Sequence, residues 1–163
     1  GDAGLGVAEI ANDNANGQVV ISGSAGAIVA AGDAMKAAGA KRALPLPVSA
    51  PFHCSLMQPA ADAMAQALAT ATIDAPSLPV VANVLAASYA DPSQTADLLV
   101  RQVTGRVRWR ESVEWMAGQG VTELVELGAG AVLGGLTKRI VSDVTAQSVG
   151  TADGLKGFAE SLR

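Results

Sequence analysis

The chain is 163 residues long, with 50% hydrophobic and 16% charged residues: enough for one domain or part of a larger one, too few for two independent domains plus an enzyme-sized cleft. Its positive mean hydropathy, +0.33, excludes an intrinsically disordered segment. A formal net charge of −4 and an aromatic content of 3% disfavour general nucleic-acid binding, because nothing attracts phosphates and few rings are present to stack on bases.

Residues 1–17 are rich in Gly, Asp and Asn and read as a loop, followed by a short buried strand at Gln18-Val19-Val20-Ile21-Ser22-Gly23. Ser24 offers an N-cap, and the Ala-rich stretch to Ala38, with Gly39 behind it, reads as a helix with a C-terminal stop. Lys41 to Val48 alternates polar and apolar residues, but Pro45 and Pro47 cannot donate ladder hydrogen bonds, so it is an edge strand or an extended segment. It leads into Ser49-Ala50-Pro51-Phe52-His53. From Ser55 to Thr70, Leu56, Met57, Ala60, Met64 and Leu68 recur at helical spacing, with Pro59 in the first turn.

Pro79 to Val84 is a second buried-strand candidate. Thr95 to Gln102 and Arg106 to Gly118 read as helices, the latter closed by Gln119-Gly120. Val121 to Leu127 alternates as a strand, then a Gly128-Ala129-Gly130 turn feeds a helix through Ile140. Thr145 to Val149 is a last strand and Thr151 to Leu162 a terminal helix. Alternating strands and helices imply an α/β fold whose sheet is at least partly parallel.

His53 is the sole histidine, placed at the end of an extended segment just before a helix. An imidazole titrates near neutral pH and suits a general base, while the plain alternative is a histidine with a single hydrogen bond. Cys54 is the sole cysteine, which excludes an intrachain disulfide framework and a multi-Cys zinc site and fits a reducing cytoplasm. Adjacent side chains point apart, so a Cys54–His53 nucleophile pair is disfavoured against a small buried thiol. Gly128-Ala129-Gly130 lacks both the third dinucleotide-fold glycine and a P-loop lysine, and reads as a tight turn. Arg101, Arg106, Arg108 and Arg110 form either a solvated face or a docking patch, and Gln102 beside them either caps a helix or orients a neighbour. No Gly-x-Ser-x-Gly element occurs, so a serine-hydrolase mechanism is not contained in these residues alone. The start at Gly1 has neither an initiator Met nor a signal peptide, and no apolar run approaches a bilayer span, which predicts a soluble piece of something longer.

Gly17 to Gly23, Ala37 to Cys54, and Glu126-Leu127-Gly128-Ala129-Gly130 through Leu136-Thr137-Lys138-Arg139-Ile140 together resemble the malonyl-CoA:acyl-carrier-protein transacylases of bacterial fatty-acid synthesis. The likeness runs in order over nearly the whole chain and covers only the C-terminal half of that family. It implies an enzyme in which a serine of a Gly-His-Ser-Leu-Gly elbow is acylated by malonyl-CoA and the malonyl group then passes to the phosphopantetheine thiol of the carrier protein. By position, His53 resembles the catalytic histidine of the family. Gln102 resembles the glutamine whose main-chain carbonyl orients that histidine, so its side chain is expected to be partly dispensable. Asn14 resembles an asparagine close to the active-site cleft.

The elbow serine, the arginine that pairs with the malonyl carboxylate and a glutamine loop of the oxyanion hole belong to the family's first half, so this chain alone is expected to be inactive. The resemblance further implies an α/β-hydrolase-like large subdomain with a ferredoxin-like small one. Residues 1–49 would be the remainder of the small subdomain and 50–163 the C-terminal part of the large one. Lacking partner strands, the piece is expected to expose apolar edges. Implied partners are malonyl-CoA, the acyl carrier protein, with the arginine patch around Arg101 to Arg110 as its docking site, and the missing N-terminal half, with no permanently bound cofactor, no metal, no nucleic acid and no membrane. The alternatives are an acyltransferase domain of a polyketide synthase and a non-catalytic module that binds a carrier protein or CoA.

Overall fold

The computed structural model describes Gly4 and residues 6–162; the expected loop at residues 1–3 and 5 lies outside the described residues. It is a mixed α/β structure of three two-stranded sheets with helices packed on them. The first difference from expectation is at the start. Residues 8–15 are not loop but strand β1 (Ala8–Ala15), antiparallel to β2 (Gln18–Gly23). The hairpin closes through Asn16-Gly17, with Gly17 at φ +75°, the left-handed conformation that an Asn-Gly turn supplies. The polar residues that make β1 look like a loop are used within the fold. The Asp13 amide donates to Val107 O at 2.8 Å, the Val107 amide to Ala11 O at 2.7 Å, and the Asp13 carboxylate takes Arg110.

Helix α1 (Ala25–Ala37) follows as its Ala-rich sequence predicts, and Gly39 at φ +99° ends it. Ser24 stands at the N-cap position but does not cap the helix; its hydroxyl accepts from the Val7 amide at 3.1 Å. Residues 40–50 run extended without strand pairing, as two prolines dictate. After a single 3-10 turn at Ser55–Met57, α2 (Gln58–Leu68) begins with Pro59 in its first turn and packs on α3 (Thr95–Thr104).

The second strand candidate shrinks to β3 (Val81–Ala82), paired with β4 (Ala87–Ser88). Asn83 ends it because its side chain bonds across to the α3–α4 loop. Helix α4 (Trp109–Gly118) starts later than expected, because Val107 bridges to β1 and the Arg108 amide is taken by Asn83. Strand β5 (Glu123–Leu127), α5 (Val132–Ile140) and β6 (Thr145–Val149) form a parallel β-α-β unit, and α6 (Ala152–Ser161) closes the chain.

The buried apolar set is made largely of small residues, Ala11, Ala15, Ala27, Cys54, Ala61 and Val113 among them. Such residues let α4 and α5 approach β1 closely, but they bury little area each. Large side chains along 44–48 stay outside: Leu44 is 71% and Val48 59% exposed. With β5 paired only to β6 among the described residues, the chain does present the apolar surface and open sheet edge expected of it.

Candidate active site

His53 lies between the extended segment and the turn that opens α2, with φ +58°. A non-glycine residue there is uncommon, though histidine is among the residue types enriched in that region. Two anchors hold the turn. On the helix side, the Ser55 amide donates to the carboxylate of Glu9, from β1, at 3.0 Å. On the other, the Cys54 thiol is fully buried and donates to Pro51 O at 3.1 Å. The thiol and the imidazole point to different neighbours, as adjacency requires.

The half-buried His53 ring faces the C-terminal end of α3. Its Nδ1 lies 3.1 Å from Gly105 O and 3.3 Å from Gln102 O. Carbonyl oxygens only accept, so Nδ1 carries the proton and Nε2 keeps a free lone pair. The Gln102 side-chain NH2 is 3.5 Å from Nδ1, but both are donors, and it donates instead to Gly105 O at 3.2 Å. The arrangement can accept a proton at Nε2 and stabilise the resulting imidazolium through two backbone dipoles.

His53 and Gln102 are thus brought together across 49 residues of chain. Asn14 is not joined to them. It is half-buried on β1, beside the Asp13 that pairs with Arg110, and among the described residues it makes no hydrogen bond with His53 or Gln102. Three residues that sequence reading does not single out complete the site. Asn83 donates to the Gln102 side-chain oxygen and to Arg106 O, and accepts from the Arg108 amide. Its signal was a polar residue inside an apolar run, which needs a partner once buried. At Gly105 a Cβ would meet Arg101 O at 2.7 Å and Val84 Cγ1 at 3.2 Å, so the loop closes only on glycine. Glu9 carries no local signal at all.

The arginine cluster is not a free basic patch. Arg101 pairs with Asp97, Arg106 and Arg108 share Glu111, and Arg110 bridges Asp13 and Glu114. The Arg108 hydrogen bond holds the Glu111 carboxyl below its usual range, and the Arg110 hydrogen bond does the same to Asp13. These pairs tie β1 and the 105–108 loop to α4. The Gly128–Gly130 turn is no anion cradle either. The amides of Leu133 and Gly134 at the start of α5 donate to Glu126 at 3.2 and 3.0 Å, and those bonds lower its pKa. Among the described residues no group of three or more His, Cys, Asp or Glu is placed to hold a metal ion, and no helix is long and apolar enough to cross a membrane.

Separate from His53, a cavity of about 290 Å³ opens between β3 and β5, lined by Val81, Asn83, Trp109, Leu124, Leu133 and Thr137. The indole N–H of Trp109 is buried and lacks a hydrogen-bond partner.

No protein-family model matches the chain. Among curated proteins it is 55% identical over 138 residues to the malonyl CoA-acyl carrier protein transacylase of Salmonella typhimurium, covering 85% of this chain and 45% of that protein. The Haemophilus influenzae protein of the same name is 46% identical over 156 residues, which is 96% of this chain and 50% of the relative. Among solved structures, the acyl-carrier-protein S-malonyltransferase of Bartonella henselae superposes with a TM-score of 0.91 at 51% identity, covering 98% of this chain and 51% of that one. A malonyl-transacylase solved in complex with a type II polyketide acyl-carrier protein gives a TM-score of 0.91 at 46% identity, covering 98% and 52%. By sequence and by structure, the chain belongs to the malonyl-CoA:acyl-carrier-protein transacylase family and spans about half the length of the curated relatives it matches.

Proposed function

We propose that this chain is the histidine-bearing part of an S-malonyltransferase that moves a malonyl group from coenzyme A to the phosphopantetheine thiol of an acyl carrier protein. The observation that carries the reading is the His53 ring, whose Nδ1 faces two backbone carbonyls that accept its proton in a hydrogen bond, leaving Nε2 free. In this role Nε2 takes the proton from a serine hydroxyl as it attacks the thioester, then returns it to the departing CoA sulfur. In the second half the same nitrogen takes the proton of the carrier thiol as it attacks the malonyl-serine and returns it to the departing serine oxygen, which restores the hydroxyl and the neutral ring. The carbonyls of Gln102 and Gly105 do the work of the acid in a Ser-His-Asp triad: they fix the tautomer and favour the imidazolium, with dipoles in place of a full charge.

The serine comes from outside these residues, since no Gly-x-Ser-x-Gly element is present. The bare edge of β5 and the adjoining cavity suit further parallel strands of an α/β-hydrolase-like subdomain, formed by residues 50–163 with that other half. Residues 1–49, with the β1–β2 hairpin and α1, then belong to a ferredoxin-like small subdomain. Asn14 lines the cleft between the two. The carrier protein is the partner in this reading, and fatty-acid synthesis in a bacterial cytoplasm the setting.

Intact-protein mass spectrometry tests the proposal. Malonyl-CoA is mixed with this chain, with a separately produced N-terminal half of a family member, and with both. The expected result is a malonyl adduct on the other half only, dependent on this chain and lost with His53→Ala. Robust malonyl transfer by this chain alone, or no adduct in any mixture of folded proteins, overturns it.

A further inference from the structure

The elements that meet the His53 ring come from α3 and the loop behind it, and a helix C-terminus is an unpromising place for precise carbonyls. The last carbonyls of a helix lack intrahelical partners and drift toward water unless something holds the chain that follows. Here the loop is gripped from the residue just after β3. The planar Asn83 amide donates to the Gln102 side-chain oxygen and, at 2.9 Å, to Arg106 O, while its oxygen accepts from the Arg108 amide at 2.7 Å. One side chain therefore pins three points spanning Gln102 to Arg108. The next residue, Val84, adds its carbonyl to the Arg108 guanidinium at 3.0 Å.

The grip also decides which end of the Gln102 amide faces the histidine. With its oxygen held by Asn83, the Gln102 NH2 turns inward and is spent on Gly105 O at 3.2 Å. It sits only 3.5 Å from Nδ1. Released, that NH2 could close the remaining distance and donate to Nδ1, which would move the ring proton to Nε2, the nitrogen that must stay free.

We propose that Asn83 is the positioning residue that keeps His53 in its Nδ1–H form, acting through the Gln102 side chain and the 105–108 loop without touching the ring. The assignment rests on the reading of His53 as the base, but its test needs neither CoA nor a carrier protein.

His53 is the only histidine, so ring 15N shifts report it without ambiguity in the whole 163-residue chain. With the ring neutral, the wild-type chain is expected to show a protonated Nδ1 and an unprotonated Nε2. In Asn83→Ala that pattern is expected to be lost, with most of the proton moving to Nε2. Gln102→Ala placed on top of Asn83→Ala removes the amide that would swing in, and is expected to restore Nδ1–H, a rescue that general loosening of the loop would not produce. Circular dichroism and Trp109 and Trp115 fluorescence check folding, and Asn83→Ser, a smaller change, serves if the Ala variant unfolds. A wild-type ring protonated at Nε2, or a folded Asn83 variant with the wild-type pattern, overturns the assignment. If malonyl transfer fails while the Asn83-dependent tautomer is present, the positioning role stands and only the transferase reading falls.

Discussion

Two turns in this chain deliver an extended backbone into a helix, one at His53 and one at Gly128–Gly130. Both bend through positive φ, at +58° for His53 and at +141° and +98° for Gly128 and Gly130. In both, a glutamate carboxylate takes amides where the helical segment begins, that of Ser55 at the first and those of Leu133 and Gly134 at the second. At the second turn Glu126 comes from the strand immediately before it, so the unit closes on itself and glycine suffices. At the first, Glu9 comes from a strand 46 residues earlier. That turn is tied into the tertiary structure, and the tie lets it keep a side chain where glycine would be easier. A costly conformation persists when its surroundings over-determine it, and here they hold the imidazole against the carbonyls of Gln102 and Gly105.

The contrast can be broken most forcefully at Gly105→Ala. The new Cβ would stand 2.7 Å from Arg101 O, a backbone atom that cannot step aside. We expect a loss of about 3 kcal/mol in urea unfolding and loss of the Nδ1–H ring signature. The matched change in the second turn, Gly130→Ala, meets nothing within 4 Å and is expected to cost only the positive-φ strain, about 1 kcal/mol. Equal costs would mean that the loop carrying the Gly105 carbonyl against His53 is no more constrained than the Gly128–Gly130 turn.

Asp13→Ala removes the pair that ties β1, and with it Glu9, to α4. Asp13 is buried and accepts from Arg110 at 2.6 Å, so a loss of about 2 kcal/mol is expected at neutral pH. The Arg110 hydrogen bond depresses the Asp13 pKa in the folded chain. Its contribution is therefore fully present above the unfolded carboxyl value of about 4 and is lost as pH falls through the lower folded value. Wild type and variant should differ by a constant amount from pH 5 upward and converge in acid; a gap that persists at pH 2 would assign the stabilisation to packing.

The smallest effect sharpens the argument about strain. His53→Gly and His53→Ala both remove the imidazole, but glycine accepts the positive φ and alanine does not. The Gly variant is expected to be more stable by roughly 1 kcal/mol in thermal or urea unfolding. An Ala variant as stable as the Gly one would show that the turn relaxes out of its conformation once the ring is gone.

Most elements were legible because their signals are local. Ala-rich runs ended by Gly39 and by Gln119-Gly120, and β-branched runs bounded by glycine, carry their own start and stop. Strand β1 was not legible, because Asn12, Asp13 and Asn14 look like a solvated loop until Val107 and Arg110 arrive to use them. Its one local clue was the Asn16-Gly17 pair. The arginines are paired partly with near neighbours in the chain, Asp97, Glu111 and Glu114, but the bridge from Arg110 to Asp13 spans 97 residues and has no local sign.

By itself the sequence determined the alternation of strands and helices, the lone imidazole before a helix, the absence of an elbow serine and the family resemblance. All of these depend on residue type and order along the chain. The tertiary structure alone decided which nitrogen of His53 holds the proton, that Asn83 and Gly105 stand behind Gln102, and that the arginines are already paired. The decisive contacts among them, Asn83 with Gln102, His53 with Gln102 and Arg110 with Asp13, join residues 19, 49 and 97 positions apart, and hydrogen bonds are set by distance and angle, which no local pattern encodes.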